Sequence, residues 1–189
     1  MTVVEVLAAI APHLREQVCV HSNGYMSRAA FGVRDHERCF YMIGSMGLAS
    51  SIGLGLALAR PGERVVVFDG DGNVLMNLGT LARIAAAAPR NLVHLCFDNG
   101  VHASTGAQAT ISHRVPLEEI ARAAGYRRAG RVRDLASLAA EIPLVLSEDG
   151  PSFLLIETAL ESAGPPGPRI THTPEEMTRR VRRALGVER

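Results

Sequence analysis

The sequence has no tryptophan, and only 4% of its 189 residues are aromatic. Its interior must therefore be filled by Ala, Val, Leu and Ile, the usual packing between helices and a parallel sheet. A charge excess is missing too. Twenty Lys and Arg face 19 Asp and Glu, a net charge of +1. No global field then argues for a nucleic-acid or acidic-membrane partner, and any anion site must be local. Long apolar runs are also lacking: nothing reaches the ~20 residues that span a bilayer. The stretch 47–59 is too short and is broken by Ser and Gly. The opening Met-Thr-Val-Val-Glu-Val has neither the basic region nor the apolar region of a signal peptide. The three cysteines, Cys19, Cys39 and Cys96, are odd in number, widely spaced and set in apolar runs, with no CxxC pattern. They read as buried thiols in a reducing compartment. The expectation is a soluble cytoplasmic protein with no membrane or nucleic-acid partner. Its length suits a single α/β domain over 1–189.

What is present alternates. Apolar spacing over 3–14 predicts a helix, and 17–20 a short buried strand. The polar loop His21-Ser22-Asn23-Gly24 follows, then a strand over 39–43 that ends at Gly44-Ser45-Met46-Gly47. A helix to about Arg60 stops at Pro61-Gly62, and a continuous apolar strand over 64–68 runs into Asp69-Gly70-Asp71-Gly72. Helical spacing over 73–88 ends at Pro89; the strand 92–97 ends at Asp98-Asn99-Gly100, and a polar loop continues to about His113. Pro116 opens a helix, 126–129 reads as a short strand, Asp134 caps a helix through Leu146 with Pro143 in its last turn, and 152–158 is the final strand. A Pro/Gly spacer over 162–172 precedes a helix capped by Thr173, whose arginines read as a solvated face or a subunit contact. Such alternation predicts a mostly parallel sheet covered by helices on both faces, three layers in all, with ligands at the carboxyl ends of the strands.

Three predicted strands end in glycine-rich or polar turns, so those turns converge on one crevice. Alone, Gly70-Asp71-Gly72 is more often a strand-to-helix turn than a metal site, and its carboxylate would ordinarily cap the helix. With phosphate present, a hard cation such as Mg²⁺ would bridge Asp71 to the phosphate oxygens. Asn99 offers a second oxygen donor, 99 − 71 = 28 residues on, the span of one helix and one returning strand. A backbone carbonyl just beyond would be a third. Gly53 and Gly55 suggest a dinucleotide fingerprint, but they lie inside a predicted helix and read better as close-packing positions.

From Gly70-Asp71-Gly72 to Asp98-Asn99 the chain resembles the thiamine-diphosphate motif, which ends in an Asn-Asn pair. The segments 44–51, 75–79 and 98–108 are similar to the thiamine-diphosphate-dependent 2-oxoacid decarboxylases, in particular the sulfopyruvate decarboxylase β subunit and the C-terminal half of phosphonopyruvate decarboxylase. The likeness extends over roughly 15–160 and implies the thiamine-diphosphate fold of the pyrophosphate-binding type. It implies that Asp71, Asn99 and the Val101 carbonyl hold Mg²⁺. It also implies that Gly44 accepts from the aminopyrimidine, that Met46 wedges the cofactor into a bent form within the Gly44-Ser45-Met46-Gly47 turn, and that Asn73, Asn23 and Gly24 meet the diphosphate. His102, Ser104 and Thr105 then face a small anionic substrate, although each is equally read as a solvated or turn residue. Asp98 replaces the first Asn of the family pair, Ala29 stands where relatives carry an acid, and Gln108 stands where they tend to have glycine.

In such enzymes the cofactor carries the hard chemistry, taking up the electrons left when carbon dioxide departs. A glutamate that activates it belongs to a second, pyrimidine-binding domain, for which 189 residues leave no room. The resemblance therefore implies a separate α subunit, in an α2β2 or higher assembly. Two rivals remain: an acetolactate-synthase-like subunit, in which a second carbonyl compound takes the place of the proton, and a non-catalytic cofactor-binding or regulatory subunit. His21, His36, His94, His113 and His172 receive no role.

Overall fold

The computed structural model describes residues 1–160 and 167–187. Six strands form one parallel sheet: β1 (Val18–His21), β2 (Cys39–Tyr41), β3 (Val65–Gly70), β4 (Leu92–Asp98), β7 (Arg128–Val132) and β8 (Ser152–Glu157), in the order β2-β1-β3-β4-β8-β7. Three of the interior strands, β3, β4 and β8, are buried along nearly their whole length, which is why they read as unbroken apolar runs rather than alternating ones.

Helices cover both faces. On one, α1 (Val3–Ile10), α2 (Tyr25–Val33) and α7 (Leu135–Ser147) bury Val6, Ile10, Ala29, Leu138 and Ile142 against Val66, Phe68 and Leu95. On the other, α3 (Ala49–Ala59), α5 (Gly79–Ala87) and α6 (Leu117–Ala124) bury Ala57, Leu81, Ile84 and Leu117 against Val65, Val67 and Cys96. The last helix, α8 (Pro174–Ala184), packs on the edge strand β2, with Met177 buried in the first layer and Val181 in the second. Capping is reciprocal at three helix starts: Thr2 with Glu5, Asp134 with Ser137, and Thr173 with Glu176. A Cβ on Gly53 would lie 2.2 Å from Val67 Cγ2, so α3 sits directly on β3; nothing stands within 4 Å of the same atom on Gly55. Close packing thus accounts for the first of these glycines only.

Several expectations need correction. Residues 25–33, unassigned in the sequence reading, form α2. The helix expected over 73–88 is two, α4 (Asp71–Met76) and α5, broken at Asn77-Leu78 because the Asn77 amide turns away to donate to the Gly47 carbonyl at 3.0 Å. Asp71 does not cap: Gly70 holds the cap position, and the Asp71 carboxylate accepts from the Thr110 hydroxyl instead. The polar loop after β4 contains a small antiparallel ribbon, β5 (Val101–His102) with β6 (Gln108–Ala109). The strand expected at 126–129 is shifted to Arg128–Val132. Pro143 does not end α7, which runs on to Ser147. The carbonyl its missing N–H would have engaged belongs to Ala139, which is exposed and open to water. Residues 162–166 of the expected 162–172 spacer lie outside the described residues.

Candidate functional site

The parallel register places Gly70 at the end of β3 beside Phe97 of β4, so the turns leaving both strands emerge side by side. Together with the loop after β1 they enclose a crevice of about 110 Å³. Asn23, Met46, Gly70, Asp71, Gly72, Asn73, Asn99, Val101, His102, Ser104 and Thr105 all line it. Gly24 sits just outside, where its own Cβ would come within 3.1 Å of Ser104 Oγ. Gly44 and Ser45 face away, into a separate cleft bounded by Phe40, Met42 and Met177. The Gly44–Gly47 turn thus straddles two cavities and presents Met46 alone to the first. It holds Ser45 at φ 56° and Gly47 at φ 95°, a left-handed pair that fixes the direction of Met46. Larger grooves exist, about 750 Å³ along α8 and about 570 Å³ beside Arg64, but neither gathers side chains from the carboxyl ends of the strands.

The crevice is acidic at its base. Burial pushes the Asp71 carboxyl above the usual carboxylate range, and the nearby Asp98 charge adds to this, while the Thr110 hydroxyl works against them. Thr110 bonds in turn to Ser112 at 3.0 Å, and Ser112 donates to Asp98 at 2.8 Å. No arginine lines this wall among the described residues, so two carboxylates share a hydroxyl bridge without a cationic partner. Such a donor set suits a hard divalent cation. The Asn99 amide oxygen accepts from Val101 N at 3.0 Å and keeps a second lone pair free. Thr158 Oγ1, also in the crevice, is buried with no hydrogen-bond partner. A Cβ on Gly72 would fall 2.5 Å from the His102 ring, so the His102 imidazole lies directly over the glycine. These features fit an anionic group bound through a metal ion.

Beneath the crevice lies a polar chain that escaped the sequence reading. His94 is fully buried in β4; its Nε2 lies 3.1 Å from Asp69 Oδ2, and its Nδ1 3.4 Å from the Tyr126 hydroxyl. The other Asp69 oxygen accepts from Gly70 N at 3.0 Å and from the Asn73 amide, whose carbonyl oxygen accepts from Gly47 N. Asn73 therefore ties the turn after β3 to the turn carrying Met46, and its side chain is spent on this tie. The one available signal was a histidine inside an otherwise apolar strand, since a buried polar group needs a partner. Asp98, Thr110 and Ser112 were missed because their roles depend on the loop folding back over β4.

Residues 22–156 match the thiamine pyrophosphate enzyme, C-terminal TPP binding domain. The chain belongs to that family. It is 44% identical over 171 residues to a phosphonopyruvate decarboxylase from Streptomyces viridochromogenes, covering 89% of this chain and 42% of that one. It is 35% identical over 185 residues to a sulfopyruvate decarboxylase subunit beta from Methanococcus maripaludis, covering 98% of both. The chain thus spans less than half of the first relative and nearly all of the second. Among solved structures, a thiamine diphosphate-dependent 4-hydroxybenzoylformate decarboxylase from Rhodococcus jostii RHA1 superimposes with a TM-score of 0.73 at 15% identity, over 86% of this chain and 33% of that one. That likeness shows the fold. No helix among the described residues is long and apolar enough to cross a membrane.

Proposed function

We propose that this chain is the pyrophosphate-binding subunit of a thiamine-diphosphate-dependent decarboxylase acting on a small anionic 2-oxoacid of the sulfopyruvate or phosphonopyruvate kind. The observation that carries the reading is the meeting of Asp71 and Asn99 in one crevice at adjacent strand ends, within a domain of the TPP-binding family. When bound, the cofactor supplies the electron sink for loss of carbon dioxide.

The chain's own residues bind and orient. Asp71, Asn99 and the Val101 carbonyl would hold Mg²⁺, whose charge would offset that of a diphosphate and of the Asp71 and Asp98 carboxylates. Asn23, Gly24 and the Gly70–Asn73 turn receive the diphosphate, Asn73 through its backbone because its amide is already engaged. Met46 would support the cofactor from the turn after β2, whereas Gly44 faces the neighbouring cleft and has no place in the crevice. His102, Ser104 and Thr105 sit on the loop above and orient the substrate's carboxylate or its anionic tail. The activating glutamate comes from a pyrimidine-binding partner in an α2β2 or larger assembly. An exposed apolar rim supports that partner: Ile43 is 63% exposed, Met76 63% and Ile111 55%, all in or next to the turns that form the site. The relatives named as beta subunits point the same way.

The test is calorimetric titration of thiamine diphosphate into the reconstituted complex, with and without Mg²⁺. Uptake should require the metal, and Asp71→Ala should weaken it at least tenfold. Uptake that is metal-independent, or unchanged in Asp71→Ala, refutes the assignment. Product analysis with sulfopyruvate and phosphonopyruvate then distinguishes simple decarboxylation from carbon–carbon bond formation.

A further inference from the structure

A second set of soft ligands sits away from the crevice, at the junction of β1, β2 and the loop joining α2 to β2. Cys19 and Cys39 are directly paired in the parallel register of β1 and β2, and both are buried. Their sulfurs and a ring nitrogen of His36 all lie within 4.8 Å of one another. The His36 Nε2 is 4.0 Å from Cys19 Sγ. Two residues after Cys19, His21 is 3% exposed and has neither ring nitrogen hydrogen-bonded, although its ring stands beside the Cys39 thiol. The pattern along the chain is Cys19-x-His21, then His36-x-x-Cys39.

Packing accounts for the place of His21, whose ring stacks on Tyr41 at 4.7 Å and on Phe68 at 4.5 Å, but not for the meeting of two buried thiols with the His36 nitrogen.

We propose that Cys19, His36 and Cys39 form a Zn²⁺ site that clasps the first two strands beneath the loop 21–24, with a solvent molecule completing the tetrahedron. Two thiolates and one neutral imidazole balance the charge of the ion, which a buried site requires. Ideal Zn–S and Zn–N bonds imply ligand separations of about 3.5–3.8 Å, so the three atoms need to draw in by about 1.3 Å at most. Loading displaces the thiol protons to solvent. Coordination through His36 Nε2 puts that ring's proton on Nδ1 and gives up the 3.3 Å contact with the Arg38 amide. The site is separate from the oxygen-lined crevice, and hard Mg²⁺ does not compete for thiolates.

The experiment uses the full chain, reduced and stripped of metal, titrated with Co²⁺ as the spectroscopic substitute for Zn²⁺. One equivalent should bind with the intense visible bands of tetrahedral cobalt and a sulfur-to-metal charge-transfer band. Both should persist in Asp71→Ala, which separates this site from the crevice. His36→Ala, at a half-exposed position, should weaken binding at least tenfold, and Cys39→Ser should abolish the charge-transfer band. Zn²⁺ should displace the cobalt and raise the melting temperature of the wild-type chain, and do neither in Cys39→Ser. A pale octahedral spectrum, unaltered binding in His36→Ala, or a Cys19–Cys39 disulfide that resists reduction in the folded chain overturns the proposal. Should Cys39→Ser fail to fold, the His36→Ala titration decides alone.

Discussion

Asn73 carries more of the site's geometry than its place in the sequence suggests. Its amide nitrogen donates to Asp69 and its oxygen accepts from Gly47, so a single side chain joins the end of β3 to the turn that presents Met46. Both partners are protein groups that cannot turn to water once Asn73 is lost, because the residue is only 4% exposed. Asn73→Ala should therefore cost about 1–3 kcal/mol, the range for leaving a buried polar group unsatisfied. Asn73→Asp should cost more, since it sets a second carboxylate against Asp69 with no added cation. Urea melts of the two variants check this, and an aspartate variant as stable as the alanine one would contradict it.

Between elements, contacts turn on small residues. At Gly53 the backbone of α3 approaches β3 so closely that a methyl group would run into Val67. Gly53→Ala should destabilise by about 1–3 kcal/mol, the usual penalty for overpacking. Val67→Ala should recover part of it, because the two changes share one space and their costs do not add. Full additivity in the double variant would mean that the helix had simply shifted. This was half legible beforehand: Gly53 and Gly55 lie in an apolar helical run, but nothing in the run says which of them faces the sheet. Strands were the easiest elements to read, because burial on both faces leaves continuous runs of Val, Leu and Phe in β3, β4 and β8. The crevice was legible as far as the strand-end motifs reach, so Asp71, Asn99 and Met46 were placed together. What stayed hidden was tertiary: Asn77 breaking a long helical pattern to hold Gly47, and Thr110 and Ser112 folding back over the acids. Neither leaves a local periodicity. The Cys-His gathering was invisible for the same reason, since Cys19 and Cys39 meet only through strand pairing.

Over the whole molecule, part of the acid sensitivity comes from carboxylates tied to arginine. Burial alone would raise Asp35, but hydrogen bonds from Arg180, His172 and Tyr41 outweigh it and hold the group below its ordinary value; Arg131 does the same for Glu118. A carboxylate with a lower pKa folded than unfolded contributes stability above its unfolded pKa, and that contribution is lost as pH falls through the folded value. The melting temperature should thus fall between about pH 5 and about pH 3, a window around the ordinary carboxylate values. Arg131→Ala and Arg180→Ala should each flatten that decline while lowering stability at neutral pH. A variant that keeps the full acid-side slope would rule out its ion pair as the cause.

The strand order has a consequence for how the molecule comes into being. β8, the last strand in the chain, lies between β4 and β7, so β4 stays open on one side and β7 has no strand to pair with until residue 157 is available. A ribosome that has delivered everything through α7 has made a sheet whose middle ends in an open edge, with β7 detached from it. Such long-range closure slows folding and leaves a strand edge exposed to other nascent chains. The crevice is bound to the same event, because Thr158, on its wall, follows β8 directly. Completing the sheet and closing the crevice are thereby one step, and a nascent chain that stops short of β8 lacks part of both.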